Sequence, residues 1–147
     1  MNPTDPGDAN PSPGSGSSPA VQVMRYDRAY LPGVLKICAA EDWPSFPGDP
    51  ERAHVVLTAP GVTSVVAVQD DEVVGFAYLQ SDGHIQAHLS LMAVAASHRR
   101  QGIGRALLEY AAPLTGALRV DLVTDTAQAF YASFQHHTYD GFRIYPG

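Results

Sequence analysis

The 147-residue sequence has a single cysteine, Cys38, so neither an internal disulfide nor a multi-cysteine zinc site is open to it. One unpaired cysteine agrees with a reducing compartment and reads as core filler before it reads as a nucleophile. Cations are scarce as well: nine Lys and Arg stand against fifteen Asp and Glu, for a formal charge of −6. A surface of that sign does not neutralise phosphates, which excludes general nucleic-acid binding. Only 16% of the residues are charged and 45% are hydrophobic, a balance that excludes a disordered chain. No apolar run is long enough to span a bilayer, and the first residues lack the charged-then-apolar pattern of a secretory signal. A cytoplasmic protein without membrane partners is therefore expected, and its length suits one domain.

What is present is unevenly placed. Residues 1–20 contain twelve Pro, Gly and Ser and no apolar periodicity, so they are expected to form a disordered tail ahead of one domain spanning 21–147. Val21 and Val23 mark a short strand. Asp27 then precedes a helical repeat through Tyr30, Val34, Leu35 and Cys38, with Pro32 and Gly33 near its start. A Pro- and Gly-punctuated loop carrying Trp43 and Phe46 leads to a short helix over 50–57. Two β-branched runs, 62–68 and 72–80, flank an acidic turn and predict a hairpin. From His84 the alternation is strict, with Ile85, Ala87, Leu89 and Leu91 on one face and His84, Gln86, His88 and Ser90 on the other. Ile103, Ala106, Leu107, Tyr110 and Leu114 then repeat at helical spacing. A strand over 119–123, a helix over 126–134 and a last strand over 141–145 complete the pattern. The fold class is α/β (α+β).

The scarce cations converge. His98, Arg99, Arg100 and Arg105 fall within eight residues, which points to one small polyanionic ligand. The segment Arg99-Arg100-Gln101-Gly102-Ile103-Gly104-Arg105 lies between a strand and a helix. Glycines there let the backbone approach a ligand, and free amides at a helix start, aided by its dipole, cradle phosphate oxygens. The Gly-Lys-Ser/Thr of a P-loop is absent, and Leu107 stands where a dinucleotide-binding fingerprint needs a third glycine.

The remaining pattern, Arg-x-x-Gly-x-Gly within Leu91-Met92-Ala93-Val94-Ala95-Ala96-Ser97-His98-Arg99-Arg100-Gln101-Gly102-Ile103-Gly104, resembles the acetyl-CoA signature of the GNAT acyltransferase superfamily. The resemblance covers about residues 21–145. It implies a mixed, mostly antiparallel sheet of about six strands flanked by about four helices, splayed at an acetyl-CoA site. A strand bulge would free backbone groups at Met92, Ala93 and Val94 for pantetheine and thioester, and residues 99–105 would hold the diphosphate. Ala127-Gln128-Ala129-Phe130-Tyr131 resembles the family's Ala-x-x-x-Tyr, which would make Tyr131 the acid that protonates the departing thiolate.

Residues 84–104 are similar in particular to arylalkylamine N-acetyltransferases, where two histidines form a proton relay; His88 carries over, and Ser90 stands in place of the second. His88 would then be the base, an unperturbed imidazole being suited to neutral pH; otherwise it simply faces solvent. Trp43 and Phe46 would line the amine pocket beside Glu41 and Asp42, or alternatively pin their loop to the core. His84 and His88, four strand residues apart, lie roughly 13 Å from one another, too far to share a metal, and His136 and His137 read as surface residues, so no metal site is expected.

Two departures stand out: Thr124 replaces a frequent asparagine, and Gly141-Phe142 follows Tyr131 only after an insertion. A seventh strand is expected to be absent or supplied by a partner chain, which leaves a homodimer open. The resemblance implies an N-acetyltransferase acting on a small-molecule primary amine in a ternary complex with acetyl-CoA. The competing reading is an inactive acyl-CoA-binding sensor or interaction module.

Overall fold

The hairpin predicted from the two β-branched runs organises the molecule. In the computed structural model, which describes residues 20–147, its strands are β2 (Val62–Gln69) and β3 (Glu72–Ser81), and nearly the whole of the expected tail lies outside the described residues. Asp70 and Asp71 close the turn with φ of 53° and 63°, the left-handed pair that matches the twist of two hairpin strands. Short carboxylate side chains tolerate that region better than bulky ones. Ahead of the hairpin come β1 (Gln22–Arg25), α1 (Leu31–Ala40) and α2 (Pro50–Leu57). After it come β4 (Gln86–Val94), α3 (Ile103–Leu114), β5 (Arg119–Asp121) and α4 (Gln128–Ala132).

The helix starts follow from local chemistry. The Asp27 carboxylate accepts from the Ala29 amide at 2.7 Å and opens a single 3-10 turn that runs into α1, so the cap acts one turn earlier than the repeat suggests. Pro32 falls in the first turn of α1, where its missing N–H has no partner to lose. Asp49 caps α2 through the Arg52 amide at 3.2 Å.

The five strands form one sheet in the order β1-β2-β3-β4-β5. The first three pairings are antiparallel and the last, β4 with β5, is parallel. Consecutive residues Val65, Val66, Ala67 and Val68 are all buried, because both faces of the sheet are covered. On one face α1 and α2 place Leu31, Val34, Ile37, Cys38, Ala53 and Leu57 against Val66 and Phe76. On the other, α3 places Ile103, Leu107, Leu108 and Ala111 against Val65, Val74, Ala77 and Leu79. Gly75 allows this approach: a Cβ there would lie 3.2 Å from Leu107 Cδ1 and 3.3 Å from Ile103 Cγ2.

Three expectations are corrected. The third long strand starts at Gln86 rather than His84, because the Asp82 carboxylate accepts from the amides of His84, Ile85 and Gln86 at 2.8, 2.7 and 3.2 Å and folds them into a turn. Those hydrogen bonds hold the Asp82 carboxyl below its ordinary range. Leu89 and Leu91 do not share a face: Tyr78 pairs with Leu91 and Leu79 with Leu89, so Ser90 is an extra residue. Leu89 therefore packs toward α3 and Leu91 toward α1. Residues 141–145 form no strand. They pair with no other strand, and Phe142, Ile144 and Tyr145 are 87, 82 and 79% exposed, so the sheet has five strands among the described residues. None of the described helices is long and apolar enough to cross a membrane.

The α3 face depends on Leu107, which is fully buried. Leu107→Ala is expected to cost about 2–5 kcal/mol and to lower Tm by about 10 °C in a chain of this size. Thermal and urea melts check this; an unchanged melt would mean that α3 is not clamped to the sheet as described.

Candidate active site

β4 and β5 run side by side for only three residue pairs, Gln86 with Arg119, Ala87 with Val120 and His88 with Asp121. Beyond them the chains part, and residues 89–94 and 122–127 line opposite walls of one cleft of about 1360 Å3. Its volume exceeds the roughly 300–1,000 Å3 usual for small-ligand pockets. An antiparallel ladder uses the amide and carbonyl of alternate residues. Ala95 N donates to Val74 O at 2.8 Å, which assigns Ala93 and Leu91 to the ladder with β3. Met92 and Val94 consequently turn their amides and carbonyls to the parted edge. Val94 O already accepts from Arg99 Nε at 3.1 Å.

The loop into α3 lines the same cleft. Arg100 and Gly102 both have left-handed backbone, with φ of 63° and 81°. A Cβ at Gly102 would meet no heavy atom within 4 Å, so conformation rather than crowding demands glycine there. No side chain caps α3, and its first internal hydrogen bond is Ala106 N to Gly102 O at 3.0 Å. The amides of Gly102, Ile103, Gly104 and Arg105 accordingly donate to no protein acceptor among the described residues. With the positive end of the helix dipole behind them they form an anion cradle. The guanidinium of Arg100 is also without a partner among the described residues. His98 anchors the loop, with Nε2 2.7 Å from Gln69 Oε1 and Nδ1 2.7 Å from Ser97 Oγ.

The sequence model of the GNAT acetyltransferase domain matches residues 60–135, more than half of the chain. The chain belongs to the GNAT acetyltransferase family. Solved structures with this fold include an acetyltransferase from Trypanosoma brucei, 16% identical, with TM-score 0.71 over 86% of this chain and 99% of that one. An aminoglycoside acetyltransferase from an uncultured soil metagenomic sample is 20% identical, with TM-score 0.70 over 87% of this chain and 99% of that one. The aminoglycoside N-acetyltransferase AAC(6′)-Iy, solved with CoA, is 16% identical, with TM-score 0.74 over 90% and 97%. At such identities the likeness speaks for the fold. No curated protein sequence is significantly similar to the chain.

GNAT acetyltransferases take their acyl group from acetyl-CoA, and this site fits it: unsatisfied amides and a free guanidinium suit a diphosphate, and the parted β4 edge suits an amide-bearing arm. Most of the expected site residues meet in the cleft. Met92, Ala93, Val94, Arg99, Arg100, Gly102, Ile103, Gly104, Arg105, Trp43, Phe46, Ser90 and Tyr131 line it. Gln101 does not, and the backbone groups of Ala93 serve the ladder with β3. The bulge sits at Ser90, two residues before Met92. Arg105 lines the cleft and also holds the chain that leaves α4: Nη2 donates to Ser133 Oγ at 2.9 Å, and its guanidinium lies 3.9 Å from the Phe134 ring centre. His88 does not line it either. It is exposed and borders a separate small depression with Gln80, Ser81, Asp82 and Gln86, because it belongs to the last pair before the strands part.

Tyr131 is half-buried on α4, edge-on to Phe130 at 4.9 Å, and its hydroxyl has no protein partner among the described residues. Burial raises the pKa of this phenol. Thr124, which stands where an asparagine is frequent, accepts from the Ala127 amide at 3.1 Å and so holds the turn into α4. Three contacts are not legible in the sequence. Tyr78 stacks on Phe46 at 5.8 Å, Phe130 packs on Gly104, where a Cβ would lie 3.2 Å from Cζ, and Glu41, expected only beside the amine pocket, pairs with Arg99. Only the glycine pattern hinted at the second of these.

If the amide cradle carries the diphosphate, Gly102→Ala weakens acetyl-CoA binding by about tenfold or more, since an alanine resists φ of 81° and reorients the amides. Calorimetric titration checks this, and equal affinity in the two proteins would dissociate the loop from the cofactor.

Proposed function

We propose that this GNAT enzyme acetylates a small-molecule amine by direct attack within a ternary complex, with Tyr131 as the general acid. The observation that carries the reading is that a half-buried tyrosine with an unengaged hydroxyl shares one cleft with the amide cradle and the parted β4 edge. When bound, acetyl-CoA supplies a thioester, an acyl group already activated for attack. The cradle and Arg100 bind and orient. The Met92 amide, turned to the open edge, is available to an oxygen that gains negative charge during transfer. Tyr131 keeps its proton on Oη and has it ready for a departing thiolate.

The acceptor wall, with Trp43, Phe46 and Tyr78 beside Glu41, favours an apolar body bearing a cation. The net charge of −6 suits a cationic acceptor and does not suit nucleic acid. Dependence on acetyl-CoA and the single cysteine are consistent with a cytoplasmic location. The structural neighbours include two aminoglycoside acetyltransferases, which supports a small-molecule amine as the substrate class. The mechanism does not use His88, which lies outside the cleft.

Tyr131→Phe is expected to lower kcat by about 10²- to 10⁴-fold while leaving acetyl-CoA affinity unchanged. Thiol release and calorimetry measure the two quantities, and full turnover in the variant removes the acid role. Wild-type protein that binds acetyl-CoA but releases no thiol with any amine would instead favour an inactive sensor.

The pH profile is a second check. A primary amine with pKa near 10 is only about one part in a thousand neutral at pH 7. If no side chain of the cleft acts as a base, kcat/KM for such an acceptor rises about tenfold per pH unit up to the amine's own pKa. Because burial raises the Tyr131 pKa, the acid stays protonated below the ordinary tyrosine range, and its loss appears only above that range. A plateau already near neutrality would return an imidazole, such as that of His88, to the mechanism.

A further inference from the structure

We infer that Glu41 receives the ammonium group of the acceptor, which gives up one proton to solvent before its lone pair attacks the thioester, and that Arg99 positions the Glu41 carboxylate; this rests on the acetyl-transfer reading above. Glu41 is the C-cap of α1, its amide hydrogen-bonded to Ile37 O and Cys38 O at 3.1 and 3.2 Å, so its backbone is fixed. A carboxylate at this end of a helix is electrostatically misplaced, because the dipole is negative there and favours cations. Carboxylate and helix end together make a locus of negative potential at the cleft wall. Arg99 meets part of it. Its Nη2 donates to Glu41 Oε2 while its Nε donates to Val94 O at 3.1 Å, which fixes the guanidinium across the end of β4.

One oxygen of the pair is left over. A carboxylate offers about four lone-pair positions on two oxygens, and Glu41 Oε1 accepts from no protein donor among the described residues. The Glu41 side chain is 26% exposed, so solvent screens it less than it screens an open surface charge. Trp43, Phe46 and Tyr78 line the same cleft, which offers a bound cation aromatic faces as well. Asp125 also lines the cleft, but it is exposed and solvent weakens its hold on a cation; Asp42 does not line it. Arg99 belongs to the loop that carries the amide cradle, so Glu41 is tied to the cofactor side through one side chain. Any effect of binding on one side upon the other is therefore reciprocal.

The test uses the full chain, acetyl-CoA and three primary amines of different build, 2-phenylethylamine, spermidine and kanamycin, with hydroxylamine as a nucleophile that is neutral at pH 7.5. For whichever primary amine turns over best, Glu41→Gln is expected to raise KM about tenfold or more with a smaller effect on kcat. KM for hydroxylamine should stay unchanged, and calorimetry should show acetyl-CoA bound at least as tightly as by wild type. Glu41→Asp, which keeps the charge, should recover part of the loss. Equal KM for the primary amine in wild type and Glu41→Gln overturns the inference. So does a matching loss of acetyl-CoA affinity and of hydroxylamine reactivity, which would mean that the Arg99–Glu41 pair only holds the loop. Absence of thiol release by wild type with every nucleophile overturns the acetyl-transfer reading itself, and this inference with it.

Discussion

Four amides at the start of α3, those of Gly102, Ile103, Gly104 and Arg105, have no hydrogen-bond acceptor among the described residues, and the rest of the site is arranged around them. Every helix leaves its first N–H groups unsatisfied, and most helices cap them with a side chain. Here the residue before the helix is a glycine in left-handed backbone, which has no side chain to cap with and presents the amides together. A second left-handed residue, Arg100, costs roughly 1–2 kcal/mol in a non-glycine position. The loop tolerates that because His98 pins it to the β2–β3 hairpin and Arg99 pins it to the Val94 carbonyl.

A cradle needs an approach, and the sheet supplies one by failing to close. β5 is three residues long and leaves β4 after His88, so the later part of β4 has an edge without a strand partner. The extra residue at Ser90 matters here because it exchanges the faces of the residues that follow. Leu91 and Ala93 go to the α1 core, Met92 and Val94 to the α3 side and, by backbone parity, to the parted edge. α4 then closes the far wall. It is held by Arg105 through Ser133 and Phe134 and by the contact of Phe130 on Gly104, which brings Tyr131 to the cleft. The second glycine of the motif thus serves helix packing, while the first serves the backbone turn.

The parts legible in the sequence were those where one residue type had one physical job. Pro50 marked the start of α2, the acidic pair marked the hairpin, and the cluster of scarce arginines around two glycines marked the cradle. The bulge was not legible at its position, because alternation of small and apolar residues through Ser90, Leu91 and Met92 reads equally well with or without an insertion. Residues 141–145 alternate as a strand does, yet a strand exists only where a neighbour pairs with it, and the sequence does not show neighbours. Periodicity correctly put His88 on an exposed face but could not tell where along β4 the partner strand would leave. Arg105 reads as a phosphate ligand by proximity to the motif; that its guanidinium, in the first turn of α3, also meets Ser133 and Phe134 is a contact the sequence does not show. The Arg99–Glu41 pair joins residues far apart in the chain, a contact that only the fold reveals.

The central claim is that those four amides are the protein's diphosphate ligands. Amide-resolved NMR of ¹⁵N-labelled protein titrated with coenzyme A, and separately with pantetheine, which lacks the diphosphate, tests it most directly. The account predicts that coenzyme A shifts the Gly102, Ile103, Gly104 and Arg105 resonances in a saturable way, whereas pantetheine perturbs Met92 and Val94 and leaves those four in place. Saturable binding of coenzyme A with the four resonances unmoved would contradict it.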